Sequence, residues 1–386
     1  MVRTLSRPRL RVRPPRSLPL FALLVATVFG LIHAVIAWRF VGAGQLHGGA
    51  ATLVLTLLAA LYASVPLAMA SRYLGWVPKW VRGLGFSWIG VMFYWFALSL
   101  LAEPVYRFGL ALRPEVAWGP MLAGGVAIVG SLFSLAAVNG AGRPALVRVD
   151  VPVPGLDHRL DGLRVAQLSD VHIGPTVDRG FVQDCVERVN AEGVDLVAIT
   201  GDLVAGSVEQ LRDAVAPLAR LRSRHGTFFV TGNHEYYSGA PEWCAYLPEL
   251  GVRVLRNERV AIEHDGALFD VAGVDDPFAS APGHGPDLDR ALNGRDAART
   301  MVLLAHQPTI GVEAARRGAS LVLSGHTHGG QLWPFVHLVK LVQPLVAGLA
   351  RMGDGWIYVS RGTAWWGPKM RLGAPNEITV LTLRRQ

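Results

Sequence analysis

The chain has 386 residues, of which 51% are hydrophobic and only 17% charged, a charged share below that of most soluble domains. Residues 1–143 hold 13 Lys or Arg against Glu103 and Glu115 alone, a net +11, while residues 144–386 hold 24 Lys or Arg against 27 Asp or Glu, a net −3. That asymmetry excludes one evenly mixed soluble globule and a disordered basic chain, and it predicts a membrane segment followed by a slightly acidic soluble domain. The overall +8 does not argue for nucleic acid as a structural partner, because the basic half is also the greasy half.

Taken in chain order, a tail with six arginines (Arg3, Arg7, Arg9, Arg11, Arg13, Arg16) comes first. Four apolar stretches follow at 18–38, 50–70, 84–102 and 117–138, each near the roughly 20 residues that cross a ~30 Å hydrocarbon core. The first has no small-x-small cleavage site before Trp38 and exceeds the roughly 7–15 apolar residues of a signal peptide, so it reads as a span. The first loop carries Arg39, the second Arg72, Lys79 and Arg82, and the third Arg107 and Arg113 offset by Glu103 and Glu115; Arg143 follows the last span. Positive-inside bias then places the N-terminus and everything after residue 143 on the cytoplasmic side of the cell (inner) membrane. The spans lack the charges that mark a transport pathway. His33 and Pro66 are their only oddities, and anchoring to the lipid bilayer is the expected role of residues 1–143.

Residues 144–386 alternate short β-branched runs with amphipathic stretches. The pattern predicts strands at 163–169, 194–200, 226–232, 267–273, 300–306, 319–325, 356–360 and 377–383, and helices at 179–191, 207–222 and near 241–250. Apolar strands interleaved with helices predict a layered α/β domain. Cys185 and Cys244 lie in no C-x-x-C pair and read as reduced core thiols.

Polar residues collect just past these strands. "LSDVHIG" places Asp170 and His172 after the first strand, "ITGDL" Asp202 after the second, and "VTGNHE" Asn233 and His234 after the third. "LLAHQP" and "LSGHTHGG" place His306, His326 and His328 after two later ones. Singly, each has a bland explanation, since an Asp after a strand is commonly a helix cap. Together they are hard to read as capping, because open α/β sheets form their sites at the carboxyl ends of strands.

Seven N/O side chains without a thiolate favour Mn, Fe or Zn over soft copper sites, and seven exceed the four of a structural zinc site. They suit two divalent ions sharing one carboxylate. Two such ions beside Asp170 and Asp202 leave a net +2, matched to a phosphate oxyanion, and a metal pair can polarise phosphoryl oxygens and acidify a bound water.

The set D-x-H (Asp170, His172), G-D (Gly201, Asp202), G-N-H-E (Gly232 to Glu235), His306 and G-H-T-H (Gly325 to His328) resembles the calcineurin-like metallophosphoesterase superfamily over about residues 160–383. The tail "VSRGTAWWGPKMRLGAPNEITVLTL" is further similar to a membrane-associated bacterial branch of it. The resemblance implies a two-sheet β-sandwich flanked by helices, and a phosphoric ester hydrolase using a metal-bridging hydroxide. It further implies Asp170, His172 and His328 on one metal, Asn233, His306 and His326 on the other, and Asp202 bridging both. His234 then lies outside both metal shells, suited to protonate the leaving oxygen or steady the transferring phosphoryl. Glu235 reads either as the carboxylate orienting His234 or as a solvated turn acid. Gly174, Gly201, Gly232, Gly325 and Gly329 are expected to let the backbone turn beside the metals. Arg361 and Arg371 read equally as phosphate contacts or as surface ion pairs.

Residues 331–353 are unusually apolar and read equally as a lipid-facing surface or as core packing. The expected protein is a membrane-anchored dinuclear phosphoesterase acting on a phosphate ester or pyrophosphate, with a lipid-linked substrate made attractive by the anchor. The alternatives are a phosphatase or phosphodiesterase for soluble nucleotides or phosphoproteins, and a non-catalytic membrane sensor or scaffold.

Overall fold

A computed structural model describes residues 18–71, 76–279 and 285–386, with side chains from residue 23 onward. The six N-terminal arginines and Arg72 lie outside the described residues. Four helices open the chain: α1 (Leu18–Ala37), α2 (Gly48–Ala70), α3 (Lys79–Leu112) and α4 (Trp118–Gly140). Each is long and apolar enough to cross a membrane.

Small residues let these helices approach closely. Gly85 of α3 packs on Ser64 and Ala68 of α2, and Gly130 of α4 faces the Trp95 ring of α3. The third helix outruns the apolar stretch 84–102 and draws Glu103 and Arg107 into its body. Glu103 is ion-paired there with buried Arg39 at 2.7 Å and with Arg107 at 2.7 Å. Both lie past the expected span 84–102, in the continuation of the helix, and the charges answer one another as a packing contact. His33 is buried: its Nδ1 donates to the Phe29 carbonyl at 2.7 Å, and its Nε2 accepts from the Trp88 indole at 2.9 Å.

After α4 the chain enters an α/β unit: β1 (Ala145–Val153), β2 (Arg164–Leu168), α5 (Arg179–Ala191), β3 (Leu196–Thr200), α6 (Val208–Val215), β4 (Thr227–Val230), α7 (Asn233–Ser238), α8 (Ala240–Tyr246), β5 (Val252–Val254), β6 (Glu258–His264), β7 (Ala267–Gly273), α9 (Leu288–Leu292), β8 (Met301–Leu304), α10 (Pro308–Arg316), β9 (Leu321–Ser324), α11 (Val336–Val342), β10 (Gly348–Met352), β11 (Gly355–Val359) and β12 (Glu377–Arg385). One six-stranded sheet has the order β1-β12-β2-β3-β4-β5, the other β10-β11-β9-β8-β7-β6. The two sheets face each other across Val165, Leu196, Phe228, Phe269, Val302 and Leu321. The outer face of the first sheet is covered by α5, α6 and α8 through Val182, Val186 and Trp243, and that of the second by α9 and α10 through Ala291 and Ala314. The fold is a β-sandwich flanked by helices.

Local chemistry sets the helix starts. Asp178 caps α5 by accepting the Phe181 N–H at 3.0 Å, and Ser207 with Gln210 forms a capping box on α6. β3, "LVAIT", is buried along its whole length, as expected of a parallel strand covered on both faces. Its two neighbours, β2 and β4, are both parallel to it.

Candidate metal centre

Parallel strands share one carboxyl edge, and that edge gathers the polar residues. β2, β3 and β4 of the first sheet lead into Asp170 and His172, Asp202, and Asn233 and His234. β8 and β9 of the second lead into His306 and into His326 and His328. The ligand atoms of Asp170, His172 and His328 lie within 4.8 Å of one another, as do those of Asp202, His306 and His326. His172, Asp202 and His234 form a third, overlapping group. Asn233 Oδ1 joins the second group 3.1 Å from His326 Nδ1.

Asp202 stands between the groups. Its Oδ2 lies 3.4 Å from His306 Nε2 and 3.9 Å from His172 Nε2. In the first group, His172 Nε2 and His328 Nε2 are 3.0 Å apart, and His328 Nε2 is 3.4 Å from Asp170 Oδ1.

The backbone is held in an uncommon conformation here. Among the described residues nine non-glycines have positive φ, and five belong to this set: Asp170 (53°), His172 (49°), Asp202 (49°), His326 (71°) and His328 (52°). Such conformations cost on the order of 1 kcal/mol or more each and persist where the surroundings over-determine them. Two glycines make the close approach feasible: a Cβ on Gly325 would overlap Ser169 Oγ and Asp170 Oδ2, and one on Gly232 would overlap Asp202 Oδ1.

Burial and charge set the protonation states. Burial pushes the rings of His172 and His328 well below their ordinary value and His326 down to about 4, leaving neutral imidazoles. It raises the Asp170 carboxyl to about 6, with the Asp202 charge adding to the rise. At Asp202 burial is outweighed by His306 and His234, which hold that carboxyl well below the usual range. Burial likewise opposes protonation of His306, but Asp202 overrides it and raises that ring well above its ordinary value. Among the described residues His306 Nε2, which faces Asp202 Oδ2 at 3.4 Å, makes no hydrogen bond, and neither does His172 Nδ1 on the other side of its ring. Neutral imidazoles and carboxylates converging with orphaned nitrogens are what divalent cations require of a site.

Residues 163–330 match the calcineurin-like phosphoesterase family. Over 330 residues the chain is 37% identical to a transmembrane protein with metallophosphoesterase domain from Danio rerio, covering 80% of this chain and 75% of that one. The chain belongs to the calcineurin-like metallophosphoesterase family. A bovine (Bos taurus) protein of the same description is 44% identical over 288 residues, 71% of this chain and 63% of that one. A solved dimetal phosphatase from Danio rerio is 13% identical, with a TM-score of 0.38 over 58% of this chain and 93% of that one.

Around the family's ligand motifs, neighbours fix each side chain. His306 Nδ1 donates to the Thr200 carbonyl at 2.8 Å, which turns Nε2 toward Asp202. Asp170 accepts from Ser169 Oγ at 2.5 Å and from the His326 N–H at 3.0 Å, and Asp202 Oδ1 accepts the His234 N–H at 2.8 Å. The half-buried His234 ring stands edge-on to His172 at 4.4 Å and to Tyr237 at 5.4 Å between ring centroids.

Glu235 and Arg371 have roles other than those expected, while Arg361 takes the ion pair that is one of its two readings. Glu235 neither orients His234 nor faces solvent: it is fully buried. Its oxygens accept the backbone N–H groups of Gly232 (2.7 Å), Asp202 (2.9 Å), Leu203 (2.9 Å) and Val204 (3.2 Å). Burial nevertheless raises its carboxyl to about 8, with the Asp202 charge adding to the rise. Arg361 pairs with the buried Glu377 at 2.8 Å. Arg371 is buried and donates to the carbonyls of Arg361, Ala374 and His328 at 2.8, 3.0 and 3.1 Å and to that of Ala364, while its Nη2 reaches His328 Nδ1 at 3.1 Å. It braces His328 from behind.

Asp276 was not singled out by sequence reasoning. Buried beyond β7, it accepts from Gln307 at 3.0 Å and adds its charge to those acting on His306. The rule that flagged the other strand ends applies equally to "VAGVDDP".

Proposed function

We propose that the chain is a membrane-anchored phosphoesterase with a dinuclear centre, residues 1–143 forming the anchor and 144–386 the catalytic unit. Asp170, His172 and His328 would hold one divalent ion, Asn233, His306 and His326 the other, and Asp202 both, with Mn, Fe or Zn suited to these donors. The observation that carries the reading is the place of Asp202 Oδ2 between His306 Nε2 and His172 Nε2, one from each group. When bound, two such cations supply Lewis-acid polarisation of phosphoryl oxygens and a water acidified toward neutral pH.

The chain supplies the rest. Neutral His172, His326 and His328 leave their lone pairs free for cations. His234, half-buried and in the third, overlapping group with His172 and Asp202, is placed to give a proton to the leaving oxygen or to steady the phosphoryl. The buried carboxylates and Thr200 hold the imidazoles still, so little reorganisation accompanies reaction. A lipid-linked phosphate ester or pyrophosphate fits a catalytic unit tied this closely to apolar helices. The loop charges favour the cytoplasmic face of the inner membrane.

Hydrolysis of an aryl phosphodiester by the detergent-solubilised protein with Mn²⁺, lost in Asp202→Ala and His234→Ala, tests the catalytic claim. A wild type as inactive as both variants across several metals would end it. Micellar substrates preferred over water-soluble ones support the lipid reading, and the reverse preference removes it. Protease cleavage of the catalytic unit only from the periplasmic face of sealed vesicles would overturn the orientation.

A further inference from the structure

The segment after the last ligand motif is neither core nor ordinary surface. Leu332 is buried with Met370 against Tyr94 of α3 and Ala137 of α4. Beside it, Trp333 meets Phe133 of α4 at 6.0 Å and Phe335 meets Phe93 of α3 at 6.1 Å between ring centroids. Then comes α11, "VHLVKLV", with no buried residue. Leu338, Leu341 and Val342 are 58%, 79% and 73% exposed, and Trp366, tied to this segment through Gln331 at 2.9 Å, is 59% exposed. A contiguous exposed apolar patch on a soluble protein calls for a covering partner.

Depth along the bundle identifies the partner. Phe133 lies seven residues before the end of α4, about 10 Å inward along a helix of about 34 Å at 1.5 Å per residue. On α3, Phe93 lies eight residues, about 12 Å, inward of Gly85, and Gly85 still packs against α2. The Trp333 and Phe335 contacts therefore lie inside the level at which the apolar helices pack on one another. The residues after them project from that level, and among the described residues nothing covers them. Residues 331–353 contain Lys340 and Arg351 and no acidic residue, the balance of an interfacial helix, which sinks roughly 5–10 Å into the headgroup–acyl boundary.

We propose that α11, with Trp333, Phe335 and Trp366, is a foot seated in the lipid leaflet on the catalytic side, holding the metal centre at headgroup height. It rests on the membrane reading above and gives it a reason to favour lipid-borne esters: His328 is one arginine side chain, that of Arg371, from the last turn of α4. The experiment places an environment-sensitive dye on Leu338→Cys, Leu341→Cys and Val342→Cys, in a chain with Cys185→Ala and Cys244→Ala, reconstituted in phosphatidylethanolamine–phosphatidylglycerol vesicles. Asp289→Cys, on α9 and 88% exposed, is the aqueous control. Doxyl groups shallow in the acyl chains are expected to quench the three foot dyes several-fold more than aqueous iodide does, with the opposite order at Asp289→Cys. Iodide quenching at all four positions overturns the foot. The dyes report position whether or not the chain hydrolyses anything, so lipid quenching in an inactive protein keeps the foot and removes the catalytic reading. With activity present, Leu341→Asp is expected to lower hydrolysis of a vesicle-borne phosphate ester at least tenfold and leave a soluble aryl ester unchanged. Equal rates on both substrates would overturn the foot's part in substrate delivery.

Discussion

Arg371 ties Ala137 to the metal centre: its backbone N–H donates to the Ala137 carbonyl in the last turn of α4 at 2.6 Å, while its guanidinium reaches His328. One residue is thus bonded to an apolar helix and to a member of the proposed centre. An arginine has donors only, so the metal-free ring accepts at Nδ1; a cation at Nε2 would need the lone pair there and put the ring proton on Nδ1, leaving Arg371 to hold His328 through its backbone carbonyl at 3.1 Å. Arg371→Lys keeps the charge but cannot reach the several carbonyls that the planar fork serves. We expect it to weaken divalent metal binding about 10–100-fold, as loss of a ligand's supporting partner does, read by titration calorimetry of the detergent-solubilised protein. Unchanged affinity would show that the brace does not act on the metal.

Glu235 is the counterpart brace under Asp202. Both carboxylate oxygens receive two N–H groups, so Glu235→Gln sets an NH₂ against two N–H donors whichever way the amide turns. The loss expected in the metal-loaded protein is about 1–3 kcal/mol, the range for a buried polar group left unsatisfied. Urea unfolding in Mn²⁺ measures it, and an unaltered midpoint would contradict the assignment.

Gly325→Ala tests the close approach at the first group. The new methyl overlaps Ser169 Oγ and Asp170 Oδ2, so Asp170 must move while both sheets remain. The expected outcome is a folded chain by circular dichroism with one fewer divalent ion per chain. Full metal content would show that Asp170 does not need this position.

Stability without metal carries a pH signature. Burial raises Glu235 from 4.5 to about 8, and Asp202 holds His306 well above 6.5. Between pH 6.5 and 8 the folded chain keeps protons that the unfolded chain has released, so metal-free stability falls as pH rises. The lowered His172, His326 and His328 act in the opposite sense, but below 6.5. Cations replace those protons, so metal affinity rises over the same window. The melting midpoint in chelator should drop from pH 6.5 to 8 and flatten or reverse with Mn²⁺; a rise in chelator would refute the assignment.

Much of this was legible in the residues because two short-range signals suffice. Runs such as "VDLVAIT" become fully buried parallel strands, and parallel strands bring the residues at their carboxyl ends to one edge. Hence Asp170, His172, Asp202, Asn233, His306, His326 and His328 come together at that edge. The misses have physical causes. β1, "ALVRVDVPV", alternates apolar and polar residues as a strand at the sheet edge should, but it lies just past the last span, where no element is expected before residue 163. β10, "GLARM", is glycine-led and only partly buried, so no periodicity marks it. The braces Glu235 and Arg371 depend on distant backbone groups, which no local pattern reveals. The same holds for Glu103, whose partner Arg39 comes from another helix.

The strand order of the first sheet sets a timetable for the newborn chain. β12 is synthesised after all the other strands, yet it lies between β1 and β2, parallel to one and antiparallel to the other. Until residues 377–385 leave the ribosome, β1 has no neighbour and the edge carrying Asp170 is unsupported from one side. The apolar helices, made first, can be settled in the bilayer long before that. Support for the Asp170 edge therefore arrives only with β12, by which time the apolar helices can already be seated in a membrane.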